Sequence, residues 1–304
     1  MVVAGYAHPA YAASLAEVGE PRHLPTSGAW VLERRIEGSP HRDAMGCYPL
    51  FTCVDWTRLG DDLAAIGSDL VALSAVTDPL SQPDADILAP VFPHLLKPFK
   101  CHYVVDLDDW TASRLDAHHR RNVRQALDNL SIELVENPAA CADEWVALYQ
   151  MLIEKHHIGG VAAFSEGSLR QQLAVPGAVA FKATRDGATV GMTIWYVQGE
   201  VGYYHLAAYT DSGYTFRASY GLFSRALDDF KQRGLRSVSL GGAAGLVDDP
   251  TNGLARFKRG WATGTRTVFL CGRIFNADAY NALASRRPQA GVEYFPSYRA
   301  GEFN

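Results

Sequence analysis

The stretch from Ala178 to Gly242 constrains this chain more than any other. AVAFKAT, VGMTIWYVQ and VGYYHLAAY are rich in β-branched and aromatic residues and are separated only by RDG and GE. Connections that short join neighbouring antiparallel strands, and Gly187 and Gly199 stand where such turns need unusual backbone angles. The three segments therefore predict a meander. After TDSGYTFRAS, residues Leu222, Phe223, Ala226, Leu227 and Phe230 recur at helical spacing, so a helix is expected from about Ala218 to Arg233, ended by Gly234. RSVSLGG follows as a strand. A strand, helix, strand unit closes with a right-handed crossover, which lays RSVSLGG parallel to the last meander strand.

A chain of 304 residues exceeds what one hydrophobic core commonly serves, so two domains are expected, 1–105 and 106–304. The first contains GAWVLERRI, GCYPLFTCVDW and DLVALSAVTDP, which read as an α/β unit. From Pro79 to Pro98 five prolines predict an irregular connection. HYVVDL reads as a strand. Beyond it, SRLDAHHRRNVRQALDNL predicts a helix with Leu115, His119, Val123 and Leu127 in line and a strongly basic face. ADEWVALYQMLIEKH predicts another, with an apolar stripe of Trp145, Leu148, Leu152 and Ile153.

With 48% hydrophobic and 20% charged residues the chain belongs to the globular class and not to the disordered one. Its net charge of −5 argues against non-specific attachment to DNA or to anionic lipid. Five scattered cysteines without a C-x-x-C pair read as reduced, buried thiols. No basic residue precedes Arg22 and Pro9 interrupts the alanine-rich start, so no signal peptide is expected. No apolar stretch is long enough to predict a membrane span, and a cytoplasmic location is the expectation.

Two segments between Ser239 and Thr265, SLGGAAGL and GLARFKRGWATGT, resemble the glycine-rich strand end and the F-K-x-G-[FW] motif of GNAT N-acyltransferases of the FemAB-like and BioF-like branch. RRNVRQA, Arg120 to Ala126, is similar to that branch's arginine-rich helix. The resemblance extends over roughly His102 to Phe275. It implies an α/β (α+β) fold of two fused GNAT-like halves, the first degenerate, with mixed, mostly antiparallel sheets flanked by helices. It implies acyl transfer from a coenzyme A thioester, acetyl-coenzyme A being the common donor, to an amine on a small metabolite, a cell-envelope precursor or an amino sugar. An aminoacyl-tRNA donor and a non-catalytic ligand-binding module are the alternatives. Ordinary GNAT enzymes carry R/Q-x-x-G-x-G/A before the central helix, whereas this chain has SGYTFRASYG.

Phosphates of the donor need unpaired N–H groups and positive charge, which the start of the Ala218 helix supplies with Ser212, Gly213, Arg217, Ser219 and Gly221. An ordinary loop with Ser219 as the helix cap is the plain alternative. At the acyl centre Lys258 is the candidate cation, with His205 as base and Tyr204 as acid. Strand alternation puts Tyr203 and His205 on one face and Tyr204 on the other. Arg120, Arg121 and Arg124, with His118 and His119, are candidates for an anionic acceptor, unless they form a solvated face. Phe257, Gly241 and Gly242 are further substrate candidates, Gly245 ends the same strand, and Asp248 and Asp249 are either amine ligands or turn residues. The His118–His119 and His156–His157 pairs lack ligand partners at metal spacing, and no metal is expected.

Overall fold

The computed structural model describes residues 3–243, 252–286 and 294–302, and the chain forms two compact units. One comprises residues 6–99, 159–162 and those from 267 onward; the other comprises 100–158 and 163–266 with the residues before Tyr6. Where the sequence suggests a single division at 105/106, the chain returns after Arg266 to the unit in which it began.

In the first unit α1 (Pro9–Ala13) precedes β1 (Glu20–Leu24), β2 (Ala29–Arg35) and β3 (Arg42–Gly46), and α2 (Leu59–Ile66) leads to β4 (Ala72–Val76). The proline-rich stretch contains α3 (Ala85–Leu88), and β5 (Leu95–Asp106) begins before it ends. The irregular connection is therefore shorter than expected. A proline removes only its own N–H from a strand, so Pro98 is compatible with β5.

The second unit continues with α4 (Ala117–Asn129), β6 (Ser131–Val135), α5 (Ala142–His156), α6 (Glu166–Leu173), β7 (Ala178–Arg185), β8 (Ala188–Gln198) and β9 (Val201–Tyr209). Then come α7 (Asp211–Thr215), α8 (Ala218–Gln232), β10 (Ser237–Gly241) and α9 (Gly253–Trp261). The sheet order is β5-β10-β9-β8-β7-β6. β6 to β9 pair antiparallel in succession, and β10 pairs parallel with β9 after the crossover through α8, as the sequence pattern requires. In β9 the register shifts so that Trp195 faces Tyr204 and Ile194 faces Leu206, a bulge at His205. The core packs Phe181, Trp195, Leu222, Phe223, Leu227 and Phe230 between α8 and the sheet.

The chain then enters β11 (Gly264–Ile274) and α10 (Ala277–Ala284), completing the first unit's sheet in the order β1-β2-β3-β4-β11. Its pairs are antiparallel except β3 with β4. Fully buried Asp43 accepts two hydrogen bonds from Arg299, at 2.5 and 2.8 Å, and one from the Tyr298 hydroxyl at 3.1 Å. These charge-assisted bonds tie the C-terminal residues to β3.

The buried face of α4 differs from the expected stripe: His119, Asn122 and Ala126 are buried while Leu127 is exposed. The reason is α8. A Cβ at Gly221 would stand 2.2 Å from Ile132 Cδ1 and 3.0 Å from Ala126 Cβ, so the two helices meet where both side chains are small. Alanine for glycine inside a helix usually stabilises by roughly 1 kcal/mol. Overpacking costs roughly 1–3 kcal/mol and should win here. Gly221→Ala is expected to lower the urea midpoint, with a net loss of about 1 kcal/mol; an equal or higher midpoint would mean that the contact yields freely.

Candidate active site

Helix α9 starts at Asn252, whose side-chain oxygen accepts from the N–H groups of Leu254 and Ala255. Its last turn carries the F-K-R-G-W segment. Gly260 leaves room for His119 of α4, since a Cβ there would lie 1.9 Å from the imidazole. The His119 ring stands between two acceptors, the Phe257 carbonyl at 3.1 Å and the Asp116 carboxylate at 3.2 Å. Phe257 itself packs on Phe223 and Tyr220, with ring centres 4.8 and 5.0 Å away. Phe257 and His119 thus act as packing residues that set the rotation of α9, which turns Lys258 inward.

Lys258 is 4% exposed. Its amine donates to the Gly242 carbonyl at 2.7 Å and lies 5.3 Å from the centre of the Tyr204 ring. No ion pair among the described residues includes it. Burial, with Lys100 adding like charge, pulls the amine from its ordinary value near 10.5 down to about 7. At neutral pH both the ammonium and the free amine are populated. Gly241 has φ +76°, follows a register shift in β10, and would place a Cβ 3.2 Å from the Lys258 nitrogen. Glycine is needed at this strand end for both reasons.

Two residues near this amine carry little signal in the sequence. His102 of β5 has Nδ1 3.3 Å from the Ser239 hydroxyl, and that hydroxyl accepts from the Gly241 N–H at 3.3 Å. Burial, then the charges of Lys258 and Lys100, push the His102 imidazole down to about 3, so it is neutral. In HYVVDL it is only one polar residue opening an apolar strand.

Tyr204 and His205 are separated as strand alternation predicts. Tyr204 packs on Trp195 and Phe223 beneath α8, on the side of Lys258, and burial raises its hydroxyl above the usual range. His205 instead packs against Tyr196 and Phe164, with Nε2 2.9 Å from the Gln172 side-chain oxygen of α6. Burial pushes its imidazole down to about 3. The geometry does not bring His205 to Lys258, and at neutral pH it is a poor proton acceptor there.

The donor-loop candidates divide. Arg217 is exposed and left-handed at φ 62°, and it is the N-cap of α8, with no side chain bonding the first turn. Ser219 lies inside that turn and is not the cap. Gly213 and Gly221 are packing glycines: a Cβ on Gly213 would fall 2.1 Å from the Val190 carbonyl oxygen. Ser212 is in α7, which Thr210 caps. α4 runs beside this region, for His118 Nε2 is 3.2 Å from the Tyr220 hydroxyl and Gln125 donates to the Thr215 carbonyl at 3.4 Å. Arg121 shares the helical stripe of His118 and Gln125. The arginine helix and the start of α8, distant in sequence, are neighbours. Arg120 donates to the Ser113 and Leu115 carbonyls, and Arg121 and Arg124 are exposed. Gly245, Asp248 and Asp249 lie outside the described residues. Among the described residues no cluster has the makings of a metal site.

Residues 113–259 match the family model of the acetyltransferase (GNAT) domain. Over those residues, which make up most of the second unit, the chain is similar to GNAT acetyltransferase domains. No curated protein matches it in sequence. In fold it is similar to FemX, at 14% identity and TM-score 0.65, over 90% of this chain and 93% of that one. It is also similar to the C-terminal domain of a putative lysylphosphatidylglycerol synthetase from Agrobacterium fabrum, at 18% identity and TM-score 0.58, over 93% of each chain. A third is L-PGS from Bacillus licheniformis, at 14% identity and TM-score 0.55, over 94% of this chain and 98% of that one. No helix among the described residues is long and apolar enough to cross a membrane.

A lysine lowered to about 7 in the folded state binds fewer protons than the unfolded chain between about 7 and 10.5. Its contribution therefore opposes folding below pH 7 and fades as pH rises through that window. Lys258→Met should gain stability relative to wild type at pH 6, by a few kcal/mol at most, and the gain should shrink toward pH 10. A pH-independent difference in urea unfolding would place an ordinary, solvated amine at this position.

Proposed function

We propose that the second unit transfers an acyl group from a coenzyme A thioester, acetyl-coenzyme A in the simplest case, to an amine, with Lys258 at the acyl centre. The observation that carries this reading is the buried Lys258 amine at the glycine end of β10, beside Tyr204. Attack of the amine nitrogen on the thioester carbon forms the C–N bond and breaks C–S. The passing tetrahedral oxygen carries negative charge, which the Lys258 ammonium is placed to stabilise. Tyr204, kept protonated by burial, is the candidate donor to the departing thiolate, and the proton that the attacking nitrogen sheds as the amide forms would restore its hydroxyl, so that amide and free thiol leave with no net change in the protein. The first turn of α8, with Arg217 and Arg121 beside it, would hold the donor's phosphates. The similarity in fold to a lysylphosphatidylglycerol synthetase domain, which is named for a product that joins lysine to a lipid, supports a cell-envelope acceptor; the site is read as cytoplasmic.

A second reading replaces coenzyme A with an aminoacyl-tRNA. It is favoured by the exposed arginines of α4, which extend positive charge from Arg217 along a second helix. Calorimetry separates the two. Acetyl-coenzyme A should bind in the micromolar to millimolar range and lose affinity in Arg217→Ala and Arg121→Ala. Binding of aminoacyl-tRNA alone, with a steep salt dependence, would establish the second reading instead.

Loss of one preorganised charge at a developing oxyanion typically costs on the order of 100-fold in turnover. Lys258→Met is therefore expected to lower turnover by about that factor while leaving donor affinity near wild type. Near-normal turnover would remove Lys258 from the chemistry. Tight donor binding with no transfer to any amine by the wild type would make the unit a ligand-binding module.

A further inference from the structure

The buried His119 ring of α4 has an acceptor at each of its nitrogens. Nε2 lies 3.1 Å from the Phe257 carbonyl oxygen, and Nδ1 lies 3.2 Å from an Asp116 carboxylate oxygen. A backbone carbonyl can only accept. The carboxylate also only accepts, because Asp116 caps α4 and the His119 backbone N–H, donating to it at 2.7 Å, holds its carboxyl below the usual range. A neutral imidazole carries one N–H and one bare lone pair, so in this position one nitrogen would turn its lone pair on an oxygen. Only the doubly protonated ring donates to both.

The surroundings of the ring pull in two directions. Burial disfavours a cation, and so does the positive end of α4, since His119 stands in the first turn of that helix. The Asp116 charge favours it. So do the Tyr220 and Trp261 rings, whose centres lie 5.2 and 5.4 Å from the imidazole, within the range over which an aromatic ring attracts a cation. α9 turns Phe257, Gly260 and Trp261 to the ring and keeps Lys258 inward. His118 of α4 reaches the Tyr220 hydroxyl of α8, on which Arg217 and Arg256 also act, and Arg114 and Arg259 line the cavity that Asp116 borders.

We propose that His119 is a doubly protonated positioning residue whose Nε2–H, donated to the Phe257 carbonyl, pins α9 and the Lys258 it carries onto α4. When the ring loses a proton the loss falls on Nε2, because the carboxylate retains Nδ1–H by charge. The bond released is the one to α9. Docking of α9 therefore weakens as pH rises. The pin does not depend on Lys258 acting in acyl transfer.

Ring correlations in protein labelled with ¹⁵N-histidine report the protonation of each imidazole nitrogen, and His119→Gln assigns this ring. At pH 7 both nitrogens should carry protons, and on raising the pH Nε2 alone should lose its own. Hydrogen exchange of the amides from Phe257 to Trp261, taken relative to α8, should speed up over the same range. Asp116→Asn keeps a side-chain oxygen to cap α4 and removes the charge, so both changes should move to lower pH by about one pH unit. A bare ring nitrogen at pH 7, loss of the proton from Nδ1, or α9 exchange indifferent to the ring's titration would overturn the proposal. If Asp116→Asn fails to fold, the wild-type titration alone still decides it. Turnover that holds steady while α9 loosens would count against Lys258 at the acyl centre and leave the pin standing.

Discussion

The position of the Lys258 amine depends on how α9 is docked, and that docking rests on one contact. Gly260 lets the His119 ring lie directly on the helix backbone, and the same ring reaches the Phe257 carbonyl. Any side chain at position 260 would displace His119 and let α9 roll, carrying Lys258 with it. α4 in turn is seated on α8 through Ala126 and Gly221. The order of dependence is sheet, α8, α4, α9, amine; large side chains join α8 to the sheet, and at each later link a side chain has been reduced to hydrogen or methyl so that larger neighbours can close in.

Much of the second unit was legible because its elements are short-range. The meander followed from turn lengths, α8 from an unbroken apolar face, and the parallel placement of β10 from crossover handedness. The α4 stripe was misread at Leu127 because which face of a basic helix is buried is decided by its partner, and Gly221 gives no periodic signal. Glycines misled for a related reason. Gly213 and Gly221 have the composition of a phosphate loop, yet each is accounted for by a backbone or methyl contact; at Gly241 the positive φ and the nearby amine make glycine necessary. Sequence shows that a position lacks a side chain and is silent on what fills the space.

The candidate site shows the same limit. Lys258 and Tyr204 could be named from motif and strand position, whereas His102 and Ser239 come from β5 and β10, strands far apart in sequence that pair only in the folded sheet. His205 was a candidate by residue type. Alternation already put it on the opposite face from Tyr204, and that short-range rule described its surroundings better than its chemistry did. The bulge at His205 confirms that β9 is irregular here, but the irregular residue faces Gln172 and Phe164.

A buried amine that has no ion-pair partner among the described residues is a costly thing for a fold to keep. Methionine would fill a similar volume and spare the desolvation, so packing alone does not account for lysine at position 258. Nor does the hydrogen bond to Gly242, worth about 1 kcal/mol and smaller than the penalty implied by an amine lowered to about 7. The surrounding residues also decline to help: His102 is held neutral, and Gly241 brings no side chain. What such an environment does supply is an amine near the midpoint of its titration at neutral pH, which can gain or lose charge at little cost as a neighbouring oxygen changes its own. The arrangement forgoes stability at the one place where the motif and the geometry of the strand end converge, and acyl transfer is a reaction that would use what is obtained there.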